Sequence, residues 1–387
     1  MRWRRFRAVS SGASPANEPA DDPKRAALEP VPLAALGERP LVSVLIPNKD
    51  YGRFLPDALE SLADQTYIHW EAIVCDDGSS DDSREVVEAY ATRDRRISLV
   101  AHEGTQGQAA AFNSAFARAE GDIISFLDAD DVFLPDKLGS IVDAFRRTPA
   151  GLVVHAMTLT DAGGREIQRI PAFTRFERGW IAPRVVARGG RWRWVPTSGV
   201  SLRREVAELV FPMPVRGYLS SADTYFLVLA PLLTPVEAID ETLGRYRRHG
   251  GNAYARAHVD LERIPKNLDN LTVSAQRVSE RLAELGRDAR VDVERNLKFQ
   301  ELRLQRDLLA GTSRRELWPR LRRLVRSIRD DDMYGSTQRS WAPVMYAVAF
   351  VLPVTARARW LSLSLSASKP KELARRVLTS SRGTGAS

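Results

Sequence analysis

Hydrophobic positions divide the chain into stretches of different period. Leu41-Val42-Ser43-Val44-Leu45-Ile46 is a short apolar run stopped by Pro47, the pattern of a strand covered on both faces. From Phe54 the spacing turns helical, through Leu55, Ala58, Leu59 and Leu62. Glu71–Cys75 again reads as a strand and runs into the turn cluster Asp76-Asp77-Gly78-Ser79-Ser80. A second helix carries Val86, Val87 and Tyr90, with Asp81 or Asp82 as its cap. Ile97–Val100 is a third strand, Gly107–Ala119 a third helix, and Asp122–Leu127 a fourth strand that ends at Asp128-Ala129-Asp130-Asp131. This alternation predicts the α/β class, with a mostly parallel sheet covered by helices. Ligands of such sheets bind beyond the carboxyl ends of the strands, where both acidic clusters fall.

After Pro149 the alternation weakens. Val153–Thr160, an Ala-Gly-Gly turn and Glu166–Ile170 read as a hairpin, followed by a basic stretch with Trp180, Trp192 and Trp194. A helix is expected at about Ser221–Leu229, and 260–329 reads mostly as long amphipathic helix. The expected organisation is a flexible lead-in at 1–38, an α/β domain at 39–250 and a helical, basic extension at 251–387. The basic N-terminal heptapeptide has no apolar segment behind it, so no secretory signal is expected and the chain is placed in the cytoplasm. Ala342–Val354 is apolar but short and broken by Pro353, too little to span a bilayer.

With 44% hydrophobic and 27% charged residues among 387, disorder, fibrous repeats and multi-span membrane architecture are excluded. The lone Cys75 excludes a disulfide framework and a thiolate zinc site. The net charge of +8 is concentrated at the ends: residues 311–387 hold 15 basic against 5 acidic side chains. No nucleic-acid-binding motif accompanies that charge, so no nucleic-acid partner is expected.

Carboxylates two apart in an extended turn, as in Asp128-Ala129-Asp130, point the same way and can share one hard cation. The bland alternative is a strand-end turn whose aspartates cap the Asp136–Phe145 helix, and Asp76–Ser80 has the same alternative before its own helix. Two such clusters on one rim accumulate like charge, which a cation and a hydrogen-bonding ligand would relieve.

Val42–Pro47, the Asp-Asp-Gly-Ser-Ser turn, Gly107–Asn113, and Leu127–Asp131 followed by Pro135-Asp136-Lys137-Leu138 together resemble family 2 glycosyltransferases of the GT-A fold, a Rossmann-like sheet, over about residues 41–250. The resemblance implies a nucleotide-diphospho-sugar donor, with UDP-sugars favoured, a glycan or lipid-linked acceptor, Mn²⁺ or Mg²⁺, and inverting transfer in polysaccharide or glycoconjugate synthesis. It implies nucleotide-sugar contacts from Pro47, Lys49, Asp76, Asp77, Gly107, Asn113, Asp128 and Ser198. It further implies metal contacts from Asp128, Asp130 and His249, the last in Tyr246–Asn252, and a catalytic base at Asp223. The family's usual Pro-Thr-Tyr-Asn is here Pro47-Asn48-Lys49-Asp50, which leaves Tyr51 to take over stacking on the base. The base motif has Ala222 where an acid is usual, and helix capping is the alternative role for Asp223. Trp192 and Trp194 are expected to pack in the core rather than stack on a sugar, and specificity is expected in the loops between Pro171 and Pro196.

For the arginine-rich 311–361 segment two readings stand, a peripheral contact with anionic membrane at its inner face or packing on the catalytic domain. Two other functions compete with transfer. A sugar nucleotidyltransferase would need a glycine-rich basic loop after the first strand, and a non-catalytic sugar- or membrane-surface-binding protein would not turn over the donor.

Overall fold

Strand β1 (Val42–Asn48) explains why the sheet is covered on both sides. Val42, Val44 and Ile46 enter one buried cluster with Leu59 and Phe145, while Leu45 enters another with Phe112 and Phe126. An uninterrupted apolar strand therefore has a core on each face. The computed structural model describes residues 28–171, 175–215, 222–249 and 261–365. The lead-in up to residue 27 and the motif residues Ser221 and Gly250–Asn252 lie outside the described residues.

After β1 come α1 (Leu55–Ala63), β2 (Trp70–Asp76), α2 (Ser83–Arg93), β3 (Ile97–Ala101), α3 (Gln108–Phe116) and β4 (Ile123–Phe126). Then follow β5 (Val132–Phe133), α4 (Lys137–Arg147), the hairpin β6 (Leu152–Thr160) and β7 (Glu166–Ile170), α5 (Ala182–Ala187), β8 (Val200–Arg203), α6 (Arg204–Val210), α7 (Asp223–Leu229) and β9 (Val236–Arg247). The sheet order is β3-β2-β1-β4-β8-β6-β9-β5, with β7 beside β6. β1 to β4 are parallel as expected. Beyond β4 the sheet is mixed: β8 runs antiparallel to β4 and β6, β9 parallel to β6 and antiparallel to β5. Strand periodicity carries no direction, and the tight turn between β6 and β7 permits only an antiparallel pair.

The stretch expected as long helix is three helices, α8 (Ile264–Glu284), α9 (Leu297–Leu309) and α10 (Arg314–Asp330), followed by α11 (Ser336–Val351) and α12 (Val354–Leu365). Gly286 and Gly311, both at positive φ, stand just past the ends of α8 and α9. Leu317, Leu321, Leu324 and Ile328, the apolar stripe between the arginines of α10, are buried against Leu304, Leu308, Met345 and Tyr346. The helical extension thus has its own small core. Ion pairs at 2.6 Å, Arg188–Asp332 and Arg191–Asp331, fasten it to the loop after α5.

Candidate active site

Packing and register deliver four acids to one rim. Phe126, the last residue of β4, stacks on Phe226 of α7 with ring centroids 4.5 Å apart and planes 8° from parallel. Asp223, one helical turn before Phe226, is thereby held beside the residues that follow Phe126. Ser125 of β4 pairs with Ser201 of β8, and continuing that antiparallel register sets Ser198 opposite Asp128. The Asp128 amide donates to Ser198 Oγ at 3.0 Å, and Ser198 Oγ donates to Asp131 Oδ2 at 2.5 Å. β9, paired with β5, returns past the same rim. There the Arg247 amide donates to Asp131 Oδ1 at 3.0 Å, and His249 Nε2 lies 2.9 Å from Asp130 Oδ2.

The electrostatics follow from this crowding. Burial, then the charges of Asp130 and Asp223, push the Asp128 carboxyl well above its ordinary range. Burial raises Asp130 as well, with the His249 contact opposing. Asp131 is driven well up by burial and then by Asp130 and Asp128, against the Ser198 bond. Asp223 is raised by burial, opposed by bonds from the Thr224 amide and from Thr197 Oγ1 at 2.9 and 3.2 Å. The Tyr51 phenol is pushed up to about 12 by burial and by Asp130 and Asp128. Its ring meets His249 edge-on at 5.4 Å, so Tyr51 stands over the acids and the imidazole.

A cavity of about 840 Å³ opens on this rim, lined by Pro47, Asn48, Lys49, Asp77 and Gly107 around the carboxyl ends of β1 and β2 and by Asp128, Asp130, Asp223 and Tyr246 on the β4 side. The Asp77 carboxylate accepts the Gln106 and Gly107 amides, each at 2.8 Å, and meets His102 Nδ1 at 2.8 Å. Lys49 lines the wall with its ammonium donating to Gly78 O at 2.5 Å. Gly78 sits at φ 70°, and a Cβ there would come within 2.7 Å of the Gly104 backbone, so this turn requires glycine.

Three residues expected to touch the donor do not line the cavity and are engaged by protein groups. Asp76 is fully buried and accepts from Asn48 Nδ2, the Ser79 amide and Arg84 Nε. Burial would raise its carboxyl, but the bonds from Ser79, Arg84 and Asn48 together hold it below the ordinary value. Asn113 spends both ends of its amide on the Met213 backbone, and Ser198 is occupied between Asp128 and Asp131. Among the aspartates weighed as caps, Asp81 rather than Asp82 bonds the start of α2, through the Ser83 amide at 3.1 Å. Neither Asp128 nor Asp130 caps α4, whereas Asp223, the first residue of α7, accepts the Thr224 amide of that helix's first turn at 2.9 Å, so it also serves the helix start. Asp131 belongs to the Leu127–Asp131 motif, but the resemblance assigns it no role; its bond from the Arg247 amide depends on β9 returning beside β5. Trp192 is buried with Nε1 donating to Leu227 O at 2.6 Å, whereas Trp194 packs on the core and also lines the cavity. The Trp194 amide donates to Trp192 O, a three-residue turn that sends the two rings different ways.

Among the described residues no three His, Cys, Asp or Glu side chains stand in a ready-made ligand arrangement. The rim offers carboxylate oxygens of Asp128 and Asp130, with His249 on Asp130. Hard, like-charged donors that are costly to bury unpaired fit Mg²⁺ or Mn²⁺ with its other ligands supplied by a bound molecule.

Comparison with known proteins gives this geometry a context. The model of the family "Glycosyl transferase family 2" matches residues 43–211. A glycosyltransferase of Nostoc sp. strain PCC 7120, itself uncharacterized, is 33% identical over 282 residues, 72% of this chain and 86% of that protein. The UDP-Glc:alpha-D-GlcNAc-diphosphoundecaprenol beta-1,3-glucosyltransferase WfgD of Escherichia coli is 40% identical over 98 residues, 25% of this chain and 38% of that protein. The crystal structure of S. aureus TarS 1-349 in complex with UDP-GlcNAc matches 84% of this chain and 90% of that chain with a TM-score of 0.51 at 15% identity, a likeness of fold. The chain therefore belongs to glycosyltransferase family 2, with the GT-A fold, and is a glycosyltransferase.

Proposed function

We propose that the protein moves a sugar, with inversion, from a UDP-sugar to a hydroxyl of a glycan or lipid-linked acceptor in cell-surface polysaccharide or glycoconjugate synthesis. The observation that carries this reading is the convergence of Asp128, Asp130 and Asp223 on one cavity that also holds Asp77. Asp77, Lys49 and Gly107 line the end for the nucleotide, and Asp128 and Asp130 face its diphosphate. Asp128 and Asp130 would hold Mn²⁺ or Mg²⁺, with His249 fixing the Asp130 carboxylate. The ion would supply positive charge against the diphosphate as it leaves. Asp223 takes the acceptor proton at Oδ2, the oxygen with the longer and weaker internal bond. Burial raises the affinity of that carboxylate for a proton, as a general base requires. The relatives' names support the donor and acceptor classes, since WfgD uses UDP-Glc and a diphosphoundecaprenol-linked sugar.

Thermal shift with UDP, GDP and dTDP, each with and without Mn²⁺, tests the donor and metal assignments together. UDP with Mn²⁺ should raise the melting temperature, since saturation at about 100 times Kd adds about 2.7 kcal/mol. Asp130→Ala should abolish that shift while leaving the ligand-free transition cooperative. An unchanged UDP shift in the variant defeats the metal assignment.

Peripheral membrane contact is part of the same proposal. Among the described residues no helix is long and apolar enough to cross a membrane. Because the leucine stripe of α10 is buried, the supporting surface is Trp318, Val344, Val351 and Val354, all exposed, with exposed Arg315 and Arg322 on α10. Cosedimentation should favour anionic over neutral vesicles and weaken in a Trp318→Ala/Val351→Ser variant. Equal recovery with both lipids defeats it.

A further inference from the structure

The donor end and the acids account for only part of the cavity. Beyond Thr197 and Asp223 its wall continues along Trp194 and two helix faces: Asn267, Asn270 and Leu271 of α8, spaced three and four apart, and Leu302 of α9. Both helices lie beyond the residues 43–211 matched by the family model. α8 is anchored in the main core through Ala275, Val278 and Leu282, and Leu268 packs with Leu302 and Phe299 of α9. The cavity-facing side is therefore held in place. Asn267 and Asn270 are half-buried, and among the described residues neither side-chain amide has a hydrogen-bond partner. Their amides stay open to the cavity, so a ligand that enters it can hydrogen-bond them without breaking any bond within the protein.

We infer that this wall is the acceptor subsite and that it takes a glycoside with an apolar aglycone. Each asparagine presents a donor and an acceptor together, which matches the paired hydroxyls of a sugar ring. The half-buried Trp194 ring gives a flat face for the apolar side of that ring. Leu271 and Leu302 give the aglycone an apolar surface. Asp223 starts α7, whose Thr224 carbonyl accepts from Ser274 of α8, and its charge also reaches Asp128, so a hydroxyl held at this wall is near the carboxylate that takes its proton. The assignment rests on the transfer reading above, which makes the β1 and β2 side the donor's.

The test uses the full chain with saturating UDP and Mn²⁺ and titrates octyl β-glucoside, octyl N-acetyl-β-glucosaminide and the matching methyl glycosides, all below micelle formation, by saturation-transfer NMR. Saturable binding is expected in the wild type, weaker for methyl than for octyl glycosides. Asn270→Ala and Leu271→Asp should each weaken it about tenfold, the size of one lost interaction, while the UDP-induced melting shift, which also reports folding, stays unchanged. Absence of saturable glycoside binding in the wild type with UDP present, binding seen only when UDP is omitted from a parallel titration, or full binding in both variants would overturn the proposal. A wild type without a UDP shift defeats the transfer reading and the acceptor role with it, a failure distinct from the other three.

Discussion

The turn after β2 and the turn after β4 look alike as sequence, each an apolar strand running into aspartates, yet they are opposite in energy. After β2 the carboxylate oxygens are met by protein donors: Asn48, Ser79 and Arg84 serve Asp76, and His102, Gln106 and Gly107 serve Asp77. After β4 the carboxyls of Asp128, Asp130 and Asp131 are all driven upward by burial, and the charges of neighbouring acids add to it at Asp128 and Asp131. The first cluster is held in its charged form by protein donors, whereas the second, although His249 meets Asp130 and Ser198 and Arg247 meet Asp131, keeps an excess of buried like charge that a ligand's positive charge would relieve.

The contrast can be broken by substitution. Asp223→Asn preserves shape but cannot accept a proton, so transfer should fall by about 10²–10⁴, roughly 3–5 kcal/mol of barrier, while UDP binding survives. Retention of more than about half the wild-type rate would leave Asp223 without the role of base. Asp76→Ala strands buried donors, with an expected loss of about 2–4 kcal/mol and a melting temperature lower by roughly 2–5 °C. An unaltered melting curve would show that the first cluster is not scaffold.

The smallest effect has the opposite sign. The folded carboxyl of Asp131 titrates above its unfolded value of 3.8, so the folded chain binds more protons than the unfolded chain between the two. Stability falls as pH rises through that window, and the cost stands in full above it. Asp131→Asn should therefore raise the melting temperature at about pH 8 without divalent cation, on the order of 1 kcal/mol, with the gain shrinking towards about pH 4. A loss of stability at pH 8 would mean that the Ser198 and Arg247 bonds outweigh the repulsion.

Much of the sheet as far as β4 is legible because buried strands and amphipathic helices have distinct periods, and Asp128, Asp130 and Asp223 are legible through motif order. Other features depend on contacts between distant segments. Asp76 and Asn113 carry residue types suited to a ligand, but register sets one against Asn48 and packing sets the other against Met213. Trp192 and Trp194 alternate as if on one strand face, and only their tight turn separates a core ring from a cavity ring. The cavity wall includes Pro171, Trp194 and Pro196 of the loops where specificity is expected, but also Asn267 and Asn270 of α8, which the sequence does not single out because they sit in an ordinary amphipathic pattern. The arginine-and-leucine pattern of α10 cannot say whether its stripe meets lipid or neighbouring helices.

The Phe126–Phe226 stack has a bearing on how variants of this enzyme should be designed. It ties the spacing of Asp223 from Asp128 to interior packing, with Phe112 meeting both rings edge-on at 5.4 and 6.3 Å. A misplacement of about 1 Å at reacting groups can cost 10²-fold in rate. With Asp223 and Asp128 in the roles proposed above, libraries that randomise these interior aromatics for thermostability are expected to return folded clones of low activity. Diversity is better placed on Trp194, Asn267 and Asn270, where a change alters what enters the cavity and leaves the distance between the acids alone.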